Sequence, residues 1–142
     1  MPLTRDAKVE LIAATRLFEG VDEADLPGIA DRAIEVEFEP GHVIARQGEI
    51  GTGFFIVVTG SVNVTREGAT IATAGPGDFF GELSVLDGRP RIAQVVATER
   101  TACIALASWD LEAVIAEQPR VAMAILRELA GRLRDLTEAR TH

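Results

Sequence analysis

The spacing of the glycines constrains the fold of this chain more than any other feature. Ten of its 13 glycines fall between Gly41 and Gly88, and they recur every few residues between short runs rich in Val, Ile and Phe. Glycine tolerates the backbone angles of tight turns, whereas valine, isoleucine and phenylalanine favour strands. Residues 61–65 alternate apolar and polar side chains, which places Val62 and Val64 on one face of a strand. The pattern predicts a β-sandwich or barrel with tight turns.

Helical patterns flank this segment on both sides. Residues 6–34 are predicted to be helical, with a break at Gly20 and a second short helix over 25–33. After two predicted strands, 92–98 and 101–107, the helical period returns, with Ser108 as a candidate N-cap and Pro119 suited to the first position of the last helix.

The sequence therefore predicts an α+β, mainly β fold. A jelly-roll-like double-stranded β-helix barrel (35–107) lies between N-terminal helices (1–34) and two C-terminal helices (108–142). We expect residues 1–142 to form a single domain, since the chain is long enough for one core and too short for two.

The composition argues against several classes of function. A formal net charge of −8 disfavours binding to nucleic acid, and the longest apolar runs are too short for membrane insertion. The single cysteine, Cys103, cannot form an internal disulfide, so a cytoplasmic location is expected. With two histidines the chain lacks the ligand set of a metal-binding barrel, and no nucleophile–base pair is recognisable. We expect no metal, no cofactor and no enzymatic activity.

The segment 75–95 carries the chemistry. It contains a turn, a Gly-Glu pair that opens a short helix, a Gly/Pro loop, an arginine and a strand. Gly81 permits close approach of a ligand to the backbone, and Arg91 can present two parallel donors to phosphate oxygens. The backbone N–H groups at the start of the helix favour an anion; they belong to Glu82, Leu83 and Ser84. If Glu82 accepts a hydrogen bond from a sugar hydroxyl, the set suits a ribose phosphate.

This segment resembles the phosphate-binding cassette of the cyclic-nucleotide-binding domain family, of the catabolite activator protein and protein kinase A regulatory subunit type. The resemblance rests on Phe-Gly-Glu-Leu-Ser followed by Pro-Arg, and it extends over nearly the whole chain. It implies a cassette over residues 80–93, in which Glu82 binds the ribose 2′-hydroxyl and Arg91 the cyclic phosphate. It further implies that backbone groups of Gly81, Leu83 and Ser84 complete the cradle and that Ala93 lies against it.

Ile92 departs from the family pattern, in which a small or hydroxyl-bearing residue follows the arginine. Its N–H can still donate, but without a hydroxyl it disfavours the guanine contacts typical of the family, so cAMP is expected as the ligand. Gln94 offers a polar contact instead, which keeps cGMP as an alternative. Further candidates for contact with the nucleotide are Phe80, Val64 and Arg132.

The last helix carries an apolar stripe that can serve as core, dimer seam or lid over the base; its residues are Ala122, Ile125, Leu126, Leu129, Leu133 and Leu136. We expect an allosteric signalling domain in which cyclic-nucleotide binding moves this helix and reports to an effector protein or a fused output domain. The domain is expected to be a monomer, or a homodimer through the C-terminal helix. The alternative is a degenerate domain that binds no nucleotide and acts as an interaction or dimerisation module, which Ile92 favours.

Overall fold

A computed structural model of the chain describes residues 3–140, except the side chains of residues 82–84 and 140. Its helices are α1 (Arg5–Ala14), α2 (Leu26–Arg32), α3 (Glu82–Asp87), α4 (Ser108–Glu117) and α5 (Arg120–Arg140), with 3₁₀ turns at Arg16–Phe18 and Glu23–Asp25. Its strands are β1 (Ile34–Phe38), β2 (Val43–Ala45), β3 (Gly53–Thr59), β4 (Val62–Arg66), β5 (Ala69–Ala74), β6 (Phe79–Phe80), β7 (Gln94–Ala97) and β8 (Thr101–Ala107).

The strands form two four-stranded antiparallel sheets, ordered β1-β8-β3-β6 and β2-β7-β4-β5. Most neighbours in space are distant in sequence; β8, for example, places Cys103 opposite Val36 of β1 and Val57 of β3. The predicted mainly β fold, a jelly-roll-like barrel with helices at both ends, is confirmed.

A tight turn joins β4 to β5. Its residues Glu67 and Gly68 both have positive φ, 52° and 81°. This combination matches the right-handed twist of a two-residue hairpin, and glycine adopts it without steric cost. Glu67 is the single non-glycine residue with positive φ in the part of the chain that the structure describes, so other contacts must stabilise the tip of this hairpin.

Two hydrophobic cores hold the elements together. The larger lies between the first sheet and the helices, and it buries Phe18, Ile29 and Val114. The smaller lies inside the barrel, where Val57 and Val62 are fully buried beside Cys103. Burial raises the pKa of the Cys103 thiol to about 11, so this cysteine behaves as the small buried hydrophobe that its strand position indicates.

The N-terminal helices differ from the prediction in where the first one ends. The break was expected at Gly20, yet α1 ends at Ala14. Thr15 has extended backbone angles, and its hydroxyl donates to the Leu11 carbonyl at 2.9 Å. This side chain satisfies a carbonyl that continued helix would have used, which a hydroxyl residue in a helical pattern does not reveal by itself.

The C-terminal region shows two further differences. Ser108 is not the N-cap of α4 but its first residue; Ala107 occupies the cap position without a side-chain bond, because β8 runs directly into the helix. The Ser108 N–H is instead satisfied by the Thr52 carbonyl at 2.9 Å. The predicted strand 92–98 is shorter and becomes β7, Gln94–Ala97.

Helix α5 packs through its N-terminal half. Val121, Ala124 and Ile125 are buried in the larger core, whereas the more distal Leu133 and Leu136 are 66% and 65% exposed. The predicted apolar stripe is therefore divided between core and surface. None of the helices in the described residues has the length and apolar character needed to span a bilayer.

Candidate functional site

Arg91 is held by the loop between β2 and β3 (residues 46–52, the β2–β3 loop). Its N–H donates to the Glu49 carbonyl and its carbonyl accepts from the Gly48 N–H, both at 2.8 Å. Its half-buried side chain donates from Nη2 to the Gly53 carbonyl at 3.0 Å. The Arg91 backbone and its Nη2 atom are thus held by residues 48–53.

Gly81 lies against the same guanidinium. Its φ of 90° is in the left-handed region, and a Cβ there would overlap the Gly53 carbonyl and lie 3.0 Å from Nη1 of Arg91. Only glycine therefore permits this close approach. Helix α3 begins at the next residue, and the Val85 N–H donates to the Gly81 carbonyl at 3.3 Å. The structure brings the glycine, the arginine and the start of a helix together.

Three predicted contacts fall on Glu82, Leu83 and Ser84. Their backbone forms the first turn of α3, where amide groups lack partners within the helix. Their side chains lie outside the described residues, so the contact of Glu82 with a ribose hydroxyl stays a prediction.

An open groove of about 580 Å³ lies beside this cluster. Its walls come from β4, β5, β6 and the turn before β6, from the end of α1 and the 3₁₀ turn after it, and from α5. They include three of the predicted contact residues: Val64, Phe80 and Arg132. Phe80 is buried and stacks on Phe55, with ring centroids 5.1 Å apart. The volume is within the range of about 300–1,000 Å³ that is usual for small-molecule sites. Gly81, Arg91 and Ile92 are not among the lining residues; the groove reaches the cassette through Phe80.

Phe79 packs against the larger core and also lines the groove, where it makes a contact that the sequence did not indicate. The guanidinium carbon of Arg132 lies 4.7 Å from the centre of its ring, which is cation–π geometry. Arg132 Nε also lies 3.7 Å from Glu128 Oε1, and Arg16 Nε approaches the same oxygen at 3.6 Å. The contact with Phe79 connects α5 to the barrel, whereas Arg16 connects α5 to the 3₁₀ turn after α1.

The basic residues show how an acidic chain can attract an anion. Arg16 and Arg132 line the groove, and Arg91 lies against Gly81, the residue that follows the lining residue Phe80. Asp78 is the one acidic residue among the described residues that line the groove, and its carboxylate accepts from the Gly75 N–H at 2.9 Å. Glu128 lies close to both Arg16 and Arg132 and offsets part of their charge. The remaining local positive charge can exceed an unfavourable net charge at short range.

The residues after Arg91 are spread along the edge of the site. Ile92 is 57% exposed, while Ala93 and Gln94 are half-buried. Gln94 begins β7 opposite Thr65 of β4. These positions do not show which of the three residues would contact a ligand, so their predicted roles stay predictions.

The contacts of Arg91 with the β2–β3 loop and with the strand after it were not predicted from the sequence. Gly53 supplies the carbonyl that binds Arg91, and Gly51 lies so close that a side chain there would overlap the guanidinium. Gly51, before β3, and Gly53, at the start of β3, indicate that another group comes close to the backbone, but the sequence does not show that this group is the distant Arg91.

A jelly-roll-like barrel with flanking helices thus carries a cassette in which a glycine, the start of a helix and an arginine meet. The family model described as the cyclic nucleotide-binding domain matches residues 35–118, more than half of the chain. This chain belongs to the cyclic-nucleotide-binding domain family.

Known proteins with different outputs are similar to the chain. The CRP-like cAMP-activated global transcriptional regulator of Mycobacterium tuberculosis is 29% identical over 130 residues, which cover 88% of this chain and 58% of that protein. A cyclic nucleotide-gated potassium channel of Mesorhizobium japonicum is 38% identical over 114 residues, covering 80% of this chain and 31% of the channel. The crystal structure of the Thermus thermophilus catabolite activator protein has a TM-score of 0.76 at 33% identity, over 88% of this chain and 61% of that one. The chain therefore spans less than two thirds of each of these relatives.

Proposed function

We propose that this chain is a non-catalytic sensor domain that binds cAMP, with the cyclic phosphate at Arg91. The observation that carries the proposal is the position of the Arg91 guanidinium, bonded to the Gly53 carbonyl and packed against Gly81 at the start of α3. Such a fork is preorganised, so little entropy is lost when it binds two phosphate oxygens. The first amides of α3 supply further donors for the same anion.

In this proposal the purine occupies the groove next to the cassette. Val64 and the rings of Phe79 and Phe80 offer apolar surface, and Arg132 offers a planar cation that stacks on aromatic rings. The preference for cAMP rests on Ile92, which supplies no hydroxyl for a guanine amino group. A relative described as cAMP-activated supports the same choice.

Helix α5 is proposed to report occupancy. Its N-terminal half is fixed by buried contacts, including an ion pair between Arg120 and the fully buried Asp25. Its C-terminal half meets the barrel through the contact of Arg132 with Phe79, in the groove that the base would enter. A ligand that contacts Arg132 changes the balance between positions of this half, which is how differential affinity moves a helix.

The exposed face of α5 supports a homodimer. Met123, Leu126 and Leu133 are 50%, 57% and 66% exposed. Together with Ala130 and Thr137 they follow alternating spacings of three and four residues, which is the seam of a two-stranded coiled coil. We propose that a second copy of the chain covers this face.

The output partner is an attached domain or a separate protein. The relatives named above include a transcriptional regulator and a potassium channel, of which this chain matches 58% and 31% of the length. The shared part is the sensor, so the cassette and α5 are the elements that we propose are common to these outputs.

Ile92 supports the second candidate, a domain that binds no nucleotide and acts through α5. Its large side chain stands directly after Arg91 and is 57% exposed, so it is positioned to hinder a ligand. The two candidates share the exposed face of α5 and differ in whether a nucleotide binds.

Isothermal titration with cAMP, cGMP and linear 5′-AMP separates the candidates. The sensor predicts micromolar or tighter binding of cAMP, weaker binding of cGMP, and little heat with 5′-AMP, which has the same base and ribose but no cyclic phosphate. Equal binding of cAMP and 5′-AMP would show that the cassette does not read the cyclic phosphate. If neither cyclic nucleotide gives heat or raises the Tm, the interaction module is the correct function.

A further inference from the structure

Two exposed polar side chains join the tip of the β4–β5 hairpin to the β2–β3 loop. Gln47 Nε2 donates to Glu67 Oε1 at 2.6 Å, and Gln47 Oε1 accepts from the Glu67 N–H at 3.1 Å. One amide thus makes two reciprocal bonds to a single residue, a geometry more specific than a single surface contact. We call this pair the Gln47–Glu67 clasp.

Each residue of the clasp lies at or next to a turn residue with a positive φ angle. Glu67 has a φ of 52°, which is unfavourable for a residue with a side chain, and its N–H is bound by Gln47. Gln47 precedes Gly48, whose φ of 87° turns the loop sharply. The bonds therefore connect two tight turns that have no other side-chain bond to each other in the described part of the chain.

The Gln47 end of the clasp leads directly to the phosphate-binding arginine. Gly48 donates to the Arg91 carbonyl and Glu49 accepts from the Arg91 N–H, each at 2.8 Å. The next residue, Ile50, pairs with Pro90 in an isolated antiparallel bridge. The backbone position of Arg91 is thus set by the three residues that follow Gln47.

The Glu67 end leads to the wall of the groove. The hairpin tip connects β4, which carries Val64, to β5, which carries Ala72, and both residues line the groove. The clasp therefore joins the strand pair that lines one wall of the groove to the loop that holds Arg91.

We infer that Gln47 is a positioning residue for nucleotide binding: through its bonds to Glu67 it fixes the β2–β3 loop, and through the loop it fixes Arg91 relative to the groove. The inference rests on the proposed function for its binding consequence. Its structural consequence, the restraint of the Arg91 backbone, holds without a ligand.

A reciprocal exchange of the two side chains provides the test. Gln47→Glu places two carboxylates face to face and removes the donor. Glu67→Gln alone keeps both bonds, since an amide oxygen still accepts from Nε2. The double variant Gln47→Glu/Glu67→Gln restores the side-chain bond with donor and acceptor exchanged, and the backbone N–H of residue 67 still donates to the side chain of residue 47. Amide hydrogen exchange at Gly48 and Arg91 is measured without ligand, and the Kd for cAMP is measured in about 0.3 M salt, which limits long-range charge effects.

We expect Gln47→Glu to speed exchange at both amides and to weaken cAMP binding about three- to tenfold, the range of a lost net hydrogen bond. Glu67→Gln and the double variant should resemble the wild type in both measurements. In an Arg91→Lys background, Gln47→Glu should have a smaller effect on Kd, because the residue through which it acts is already altered. A merely structural role would give additive effects.

Unchanged exchange at Gly48 and Arg91 in Gln47→Glu would overturn the inference. So would a Kd that follows the charge alone, tighter in Glu67→Gln and weaker in Gln47→Glu by equal factors. If wild-type protein binds no cyclic nucleotide, the proposed function fails, while the exchange measurement still decides whether the clasp restrains Arg91. Arg100→Gln is the matched control, since it breaks two exposed side-chain bonds, to Glu37 and Glu39, at another edge of the barrel.

Discussion

Replacing Arg132 with glutamine tests how α5 is held over the groove. The substitution removes the cation that lies 4.7 Å from the Phe79 ring centre. Because Arg132 is half-buried, we take the contact as about 1 kcal/mol, between the exposed and desolvated limits for cation–π pairs. This corresponds to a roughly fivefold increase in the equilibrium constant for opening of the distal half of α5.

Amide hydrogen exchange in the ligand-free protein measures that opening. Amides of residues 133–139 should exchange about fivefold faster in Arg132→Gln, whereas those near the buried Val121 and Ile125 should not change. Arg134→Gln is the matched control, because it makes the same chemical change on the same helix at an exposed position.

A double-mutant cycle with Phe79→Leu isolates the ring contact from the ion pair that Arg132 makes with Glu128. The effect of Arg132→Gln on exchange should shrink when Phe79 is already leucine. Additive effects, or equal exchange in Arg132→Gln and Arg134→Gln, would refute the reasoning that this contact holds the helix.

Three further predictions concern the ligand, the pH dependence and the assembly. Ile92→Ala should leave cAMP affinity unchanged or raise it, because an exposed side chain that supplies no hydroxyl is removed; a weaker affinity by titration would contradict this. The bond to Arg120 lowers the pKa of Asp25 below its ordinary 3.8, so the stabilisation is complete above that value and is lost as pH falls through the lowered one. The difference in Tm between wild type and Asp25→Asn should therefore shrink below about pH 4 in calorimetry, and a constant difference would count against the ion pair. Leu133→Glu should convert a dimer to a monomer in sedimentation without lowering the Tm of the monomer, and an unchanged mass would exclude this face of α5 as the seam.

The barrel could be predicted from the sequence because turn and strand signals are local. Glycines with positive φ at positions such as Gly48 and Gly68 stand where the pattern required turns. The position of Arg91 after Pro90 was also visible, since it belongs to one continuous segment. These features depend on the intrinsic preferences of residues and on short spacing.

Other features depend on partners that are distant in sequence. The stripe on α5 was visible, but helical spacing does not show that Ile125 faces the core while the neighbouring Leu126 is 57% exposed. The cation over Phe79 could not be predicted, because it depends on where Arg132, 53 residues later in the sequence, meets the barrel, and tertiary packing alone sets that position. The Gln47–Glu67 clasp likewise could not be predicted, because the two residues meet only where the fold brings the two turns together.

The central claim is that Arg91 binds the phosphate of a cyclic nucleotide, and one comparison tests it most directly. Isothermal titration with cAMP is carried out on wild type, Arg91→Ala and Arg89→Ala, the last being an exposed arginine of the same loop. Loss of the charged partner costs about 2–5 kcal/mol, so Arg91→Ala should bind roughly 30- to several-thousand-fold more weakly, and Arg89→Ala about as well as wild type. A folded Arg91→Ala protein that binds cAMP like the wild type would contradict the account.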